Sequence, residues 1–186
     1  MILASKSPRR SEILSTLGYR FEVLAAECDE STDSLSAEQA VEVLAQRKAL
    51  AVAAIKPDEI VIGSDTLVTL DSTPIGKPRD AEDAKRMLRL LSGRTHTVYT
   101  GVAIVNGTDV ESFVSKSQVE FYTLTEDDIE RYVASKEPLD KAGAYGIQGK
   151  GAVLVKEIRG DYLTIVGLPA AELSRRLKKY KIYPES

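Results

Sequence analysis

Two runs rich in β-branched and aromatic residues, 95–105 and 110–124, flank the turn sequence Asn106-Gly107-Thr108-Asp109 and read as two long strands joined by it. Strands of that length need a sizeable sheet around them. Helical signals elsewhere exclude an all-β fold. Ser36 with Gln39 forms a capping box for a helix reaching about Ala54, Asp80 with Asp83 starts a helix that stops at Gly93, and Thr125 caps a shorter one through Ala134. Pro169 opens a last helix to about Tyr180. Three further strands are expected at Ile2-Leu3-Ala4, at 21–25 and at 60–63, the last ending at Ser64-Asp65-Thr66 with 67–70 as a candidate continuation. Residues 136–151 read as Gly-rich and irregular, and 152–158 with 162–166 as a hairpin around the turn Arg159-Gly160-Asp161. This order is mixed rather than a regular βαβα alternation, which points to an α/β fold with a mixed sheet. No stretch has the length or polarity of a linker, so residues 1–186 are expected to form a single domain.

Composition narrows the chemistry. A net charge of -3 argues against a general nucleic-acid surface, so basic residues near a site must be a local arrangement. With one cysteine, Cys28, and one histidine, His96, neither an internal disulfide nor a Cys/His metal cluster can form. Ser-His-Asp chemistry would have to run through His96, and no nucleophile-elbow motif accompanies it. A metal site must therefore be built from carboxylates, which suit Mg²⁺ or Mn²⁺. The apolar run at the start ends at Ala4, so no signal peptide is expected. No segment approaches the length of a membrane span, and a cytosolic protein is expected.

Several residues stand where local stability would not put them. Ser7 is a good N-cap and Pro8 suits the first helical position, so Arg9 and Arg10 fall in the first turn of a helix. The helix dipole is positive there. Cations at that end are either solvated or waiting for an anion such as phosphate. Lys48 falls in the middle of the apolar stripe Val41, Leu44, Ala45, Val52 of the second helix. It must snorkel out, pair with an acid or enter a polar cleft. Asp65, placed after an apolar strand, suits metal ligation or general-base work, or simply caps a turn. Lys77 sits in a loop that Gly76 and Pro78 would hold stiff. Glu27, Asp29, Glu30 and Asp33 form an acidic loop that is solvated or lends one carboxylate to a metal beside Asp65. Gln148, among four glycines at 143, 146, 149 and 151, carries the donor and acceptor that reading a nucleobase edge requires. Together these are an inventory for binding a nucleoside triphosphate with a divalent cation without a P-loop.

Taken in order, the motifs resemble those of the Maf-type nucleotide pyrophosphatases. They are Ser-Pro-Arg-Arg at 7–10, Gly-Ser-Asp-Thr at 63–66, Gly-Lys-Pro at 76–78, Leu-Ser-Gly-Arg-Thr-His at 91–96, Lys-Glu-Pro-Leu-Asp-Lys-Ala-Gly-Ala-Tyr-Gly-Ile-Gln-Gly at 136–149, Gly-Asp-Tyr at 160–162 and Gly-Leu-Pro at 167–169. The resemblance covers essentially the whole chain. It implies an elongated α/β structure with two lobes around a deep cleft, similar to inosine triphosphatases, and a homodimer. It implies hydrolysis of a nucleoside triphosphate to monophosphate and pyrophosphate, in the branch acting on dTTP and UTP. By the same resemblance Ser7 belongs to the substrate site, Arg9, Arg10, Lys48 and Lys77 hold the phosphates, and Glu30 and Asp65 serve Mg²⁺ or Mn²⁺. Asp65 is also the base, and Arg9, Thr66 and Gln148 bear on substrate choice. The competing expectation is a regulatory protein of cell division that binds nucleotide without turnover.

Overall fold

In a computed structural model that describes residues 1–185, the apolar start of the chain forms β1 (Ile2–Ala4), buried throughout. Helix α1 (Pro8–Thr16) follows, with Ser7 at its N-cap. Its stop is Gly18, whose φ of +80° a residue with a Cβ would adopt only under strain. The second strand is shorter than the 21–25 expected, β2 (Glu22–Val23). The capping box of Ser36 and Gln39 opens α2 (Ala37–Ala53). Next come β3 (Val61–Leu70) and β4 (Thr73–Ile75), α3 (Ala81–Leu91), then β5 (Thr95–Asn106) and β6 (Asp109–Phe121) around a two-residue turn. Helix α4 (Glu126–Ala134) has the full capping box of Thr125 and Asp128. The Gly-rich stretch is not a loose connector: it contains 3-10 turns at Glu137–Asp140, Ala142–Ala144 and Lys150–Leu154. Strand β7 (Val155–Arg159), α5 (Tyr162–Val166) and α6 (Ala170–Leu177) complete the order.

One expectation is overturned here. Residues 162–166 are a helix, not the second arm of a hairpin. The reason is Asp161, whose Oδ2 accepts from the Thr164 N–H and the Thr164 hydroxyl, both at 2.8 Å, and so starts a helical turn.

The strands form one mixed sheet of seven, in the order β2-β1-β3-β5-β6-β7, with β4 on β3. β1 runs parallel to β2 and β3, while β4 and β7 lie antiparallel to β3 and β6. The chain divides into two compact units, one of Met1–Thr66, Thr100–Ser115 and the segment from Gly167, the other of Leu67–Tyr99 and Lys116–Val166.

In the first unit α2 lies directly on the sheet. Ala45, Ala49 and Val52 pack against Ile2, Ala4, Val61, Ala103 and Val105. Two glycines permit that approach. A Cβ at Gly63 would press into the Ala45 carbonyl, and one at Gly101 into the Val41 carbonyl. Gln46 Nε2 bonds the Ser112 hydroxyl (2.9 Å), which donates to Glu42 (2.6 Å), and this fixes the helix against β6.

In the second unit α3 packs on α4. Buried Phe121, Tyr145 and His96 meet edge to face with centroids 4.8 to 5.3 Å apart. His96 is therefore a core residue. Its Nε2 pairs with the Tyr145 hydroxyl at 2.8 Å, and burial pushes its pKa down to about 4.

Candidate active site

Parallel pairing of β1 with β3 ends at Ala4 opposite Gly63, so Ser5 and the residues after it lie beside β3 where it runs on past its neighbour. Asp65 therefore sits within a continuous strand rather than after one, as the sequence had suggested. Only the partner strand ends there, and that makes the same opening at a strand's carboxyl end.

Arg10 is held by that opening. Its Nε donates to the Gly167 carbonyl at 2.8 Å, Nη1 to Ser5 Oγ at 3.1 Å and Nη2 to Thr66 Oγ1 at 3.1 Å. Thr66 Oγ1 lies 2.9 Å from the Thr100 hydroxyl, and buried Ser64 donates to the same Gly167 carbonyl at 3.1 Å. Dense packing pushes the Arg10 pKa down to about 10, against the pull of Asp65 and with the help of Arg9, and the side chain stays charged at neutral pH. The cation that α1 disfavours at its start is thus compensated by three acceptors, with two of its five N–H groups left over. Arg9 is half-buried on the same turn. Ser7 makes no side-chain cap bond. Its own N–H instead bonds Ser5 Oγ at 3.1 Å.

Lys48 does not snorkel; it pairs. Its Nζ lies 2.6 Å from Asp65 Oδ1 and 3.0 Å from Glu30 Oε1. Burial disfavours the ammonium, but Asp65 and Glu30 outweigh it and the pKa rises. Side-chain exposure falls from 66% at Glu30 to 22% at Lys48 and 14% at Asp65, so the ammonium bridges a solvated carboxylate and a sheltered one.

Arg47, which sequence reasoning passed over, secures the acidic loop. Its Nη1 donates to the backbone carbonyls of Asp29 (3.1 Å) and Ser31 (2.6 Å) on either side of Glu30. Cys28 is half-buried near this pair, and burial raises its thiol pKa.

Among the described residues, no three His, Cys, Asp or Glu side chains converge as a metal cage. Two carboxylates, Glu30 and Asp65, do converge on one point, which the Lys48 ammonium holds. Such a pair fits a divalent cation whose other positions are filled by water or phosphate oxygens, the habit of Mg²⁺.

Lys77 and Gln148 belong to the second unit. Lys77 is exposed beside buried Pro78, and the Gly76 carbonyl accepts from the Gly143 N–H at 3.0 Å, so the two loops are tied together. Gln148 is exposed at a turn between buried Ile147 and Gly149. Glu137 and Tyr132 hold that turn and were not singled out from sequence. Glu137 accepts from Tyr132 Oη, Lys150 N and Gly151 N at 2.8 to 3.1 Å. The available signal was an acid heading a Gly-rich run whose N–H groups need acceptors.

Within the first unit, Arg10, Lys48, Asp65 and Glu30 form an arrangement that can hold a polyphosphate beside a carboxylate. The pattern of a family described as Maf-like protein matches residues 1–180. A Bacillus cytotoxicus protein named dTTP/UTP pyrophosphatase is 52% identical over 180 residues, covering 96% of this chain and 94% of that one. A Bacillus cereus protein of the same name is 50% identical over 183 residues, covering 98% and 96%. Among solved structures, the Staphylococcus aureus Ham1 protein aligns with TM-score 0.47 and 14% identity, over 66% of this chain and 71% of that one.

Proposed function

This chain belongs to the Maf-like protein family, and on that premise we propose that it hydrolyses dTTP and UTP between the α and β phosphates. Water attacks the phosphoanhydride, a P–O bond breaks, and nucleoside monophosphate and pyrophosphate leave. The observation that carries the reading is the meeting of Lys48, Asp65 and Glu30, with Arg10 of α1 bonded to Thr66 next to Asp65. The two relatives at 52% and 50% identity, both named for this activity, support it.

Asp65 is the group that takes the proton of the attacking water, since it is a sheltered carboxylate with a cation at one oxygen. Arg9, Arg10 and Lys48 hold the phosphates, and Ser7 lies at the same helix start. Lys77 is a further phosphate contact. Gln148 presents an amide donor and acceptor that complement the edge of a pyrimidine base. Arg9 and Thr66 share in substrate choice. Glu30 and Asp65 would hold Mg²⁺ or Mn²⁺, which when bound neutralises charge on the phosphate oxygens. Lys48, paired with those two carboxylates here, would contact phosphate where the ion takes its place. Action on the nucleotide pool in the cytoplasm, as a homodimer, completes the proposal.

The test is pyrophosphate release from a panel of nucleoside triphosphates with Mg²⁺ or Mn²⁺. Turnover of dTTP and UTP is expected, lost on chelation, and reduced about 10²- to 10⁴-fold in Asp65→Asn. Near-normal rates in that variant remove the base from Asp65. No release from any nucleotide by the folded protein, with saturable binding retained, replaces the hydrolase with a nucleotide-binding regulator.

A further inference from the structure

Glycines 143, 146, 149 and 151 would ordinarily leave the Gln148 segment mobile. Its backbone is instead fastened on both sides by two side chains. Tyr132, on α4, accepts the Gly146 N–H at its hydroxyl (2.9 Å) and donates that hydroxyl to Glu137 Oε1 (2.9 Å). Glu137 takes Lys150 N on Oε2 (2.8 Å) and Gly151 N on Oε1 (3.1 Å). Lys141 Nζ bonds the Glu137 carbonyl at 2.9 Å and braces the same corner. The chain thus enters the turn held by Tyr132 and leaves it held by Glu137. Ile147, 8% exposed, anchors the middle, and Gln148 is exposed beside it. The glycines are what bring the backbone this close. A Cβ at Gly149 would enter the Glu137 carboxylate, and one at Gly151 would lie 2.6 Å from Tyr132 Oη.

We propose that Glu137, working with Tyr132, is a positioning residue for Gln148. It fixes the turn so that the amide meets the pyrimidine base in one orientation, and it sets substrate preference without touching the base. This rests on the nucleotide hydrolysis proposed above. The carboxylate is suited to the task because its two oxygens meet three donors at once, whereas an amide would turn one acceptor into a donor facing an N–H.

The experiment compares steady-state pyrophosphate release from dTTP, UTP and dGTP by wild type, Glu137→Gln, Gln148→Ala and the double variant. Glu137→Gln should raise KM for dTTP and UTP about tenfold, the effect of one N–H of the turn losing its charged acceptor. kcat should change far less, and KM for dGTP should stay put, so the pyrimidine preference shrinks. In the Gln148→Ala background the same change should add nothing to KM, because the residue it works through is gone. Tyr132→Phe, which frees the Gly146 N–H, provides the same comparison if Glu137→Gln fails to fold. Multiplicative effects in the double variant, an unchanged KM, or an equal loss of kcat on all three nucleotides would overturn the positioning role. Wild-type turnover with any of those results overturns this role alone. Absence of wild-type turnover overturns the hydrolase reading and this role with it.

Discussion

At the scale of single residues, Lys48 was legible in the sequence because a lysine in an apolar helical stripe must find a polar partner. What the stripe could not give was the partner's identity, since Asp65 and Glu30 arrive from a strand and a loop far along the chain. The pairing has a testable consequence. The ammonium competes with any divalent ion for the two carboxylates. Lys48→Met should therefore bind Mn²⁺ more tightly in the absence of nucleotide, by about tenfold or ~1.4 kcal/mol, while kcat/KM falls. Titration of Mn²⁺ by its electron paramagnetic resonance signal measures the first effect. Unchanged Mn²⁺ affinity would detach Lys48 from the metal site. Glu137 was not legible, because its partners are backbone N–H groups of Lys150 and Gly151, which every residue but proline carries.

His96 gives a second prediction at this scale. Its pKa is about 4 when folded, against 6.5 unfolded, so the unfolded chain takes up the proton first as pH falls. The stability it contributes is complete above pH 6.5 and is lost as pH falls from there toward 4, about 2 kcal/mol of it by pH 5. Urea midpoints at pH 7.5 and 5 should show this loss, and His96→Phe should flatten it. The comparison stops at pH 5 because carboxylates held low in the fold, such as Asp83 and Glu111, begin to lose their own contribution as pH falls toward their ordinary values of 3.8 and 4.5.

Among elements, those with capping signals were read well. The boxes at Ser36 and Thr125 are both formed. Elements without such signals were read less well. Tyr162–Val166 is rich in residues that favour strands, and one carboxylate, Asp161, overrides that preference. By sequence the strand through Asp65 looks shorter than it is, because Ser64-Asp65-Thr66 has the composition of a turn. It continues because those side chains are occupied with Gly167, Lys48 and Thr100 rather than with their own backbone. The seat of α2 on the sheet was likewise hidden in two glycines. Gly101→Ala should push the helix outward at the Val41 carbonyl and cost about 3 kcal/mol. It should lower turnover as well, by moving Lys48 away from Asp65. Chemical denaturation and steady-state rates check both, and a variant of full stability would show that the helix has room to spare.

For the whole molecule, no stretch of the sequence has the length or polarity of a linker, yet the chain divides into two compact units. The passages between the two units fall after Thr66, Tyr99, Ser115 and Val166, the first three of them within strands β3, β5 and β6. No composition shift marks a boundary inside a strand. Neither unit is a contiguous stretch of chain, so the two should unfold together. The chain has no tryptophan. Single probes at Phe113→Trp in the first unit and Tyr162→Trp in the second should therefore report coincident urea midpoints, and separated midpoints would show independent unfolding. No helix among the described residues is long and apolar enough to cross a membrane. The woven path also imposes a timetable on the newborn polypeptide. The second unit lacks its last segment until Val166 has been made, and the first gains its own only from Gly167 onward. At about 5–20 residues per second, translation keeps both cores unfinished for nearly the whole of synthesis. The apolar strands of the first unit therefore wait for the last helix before their core can close.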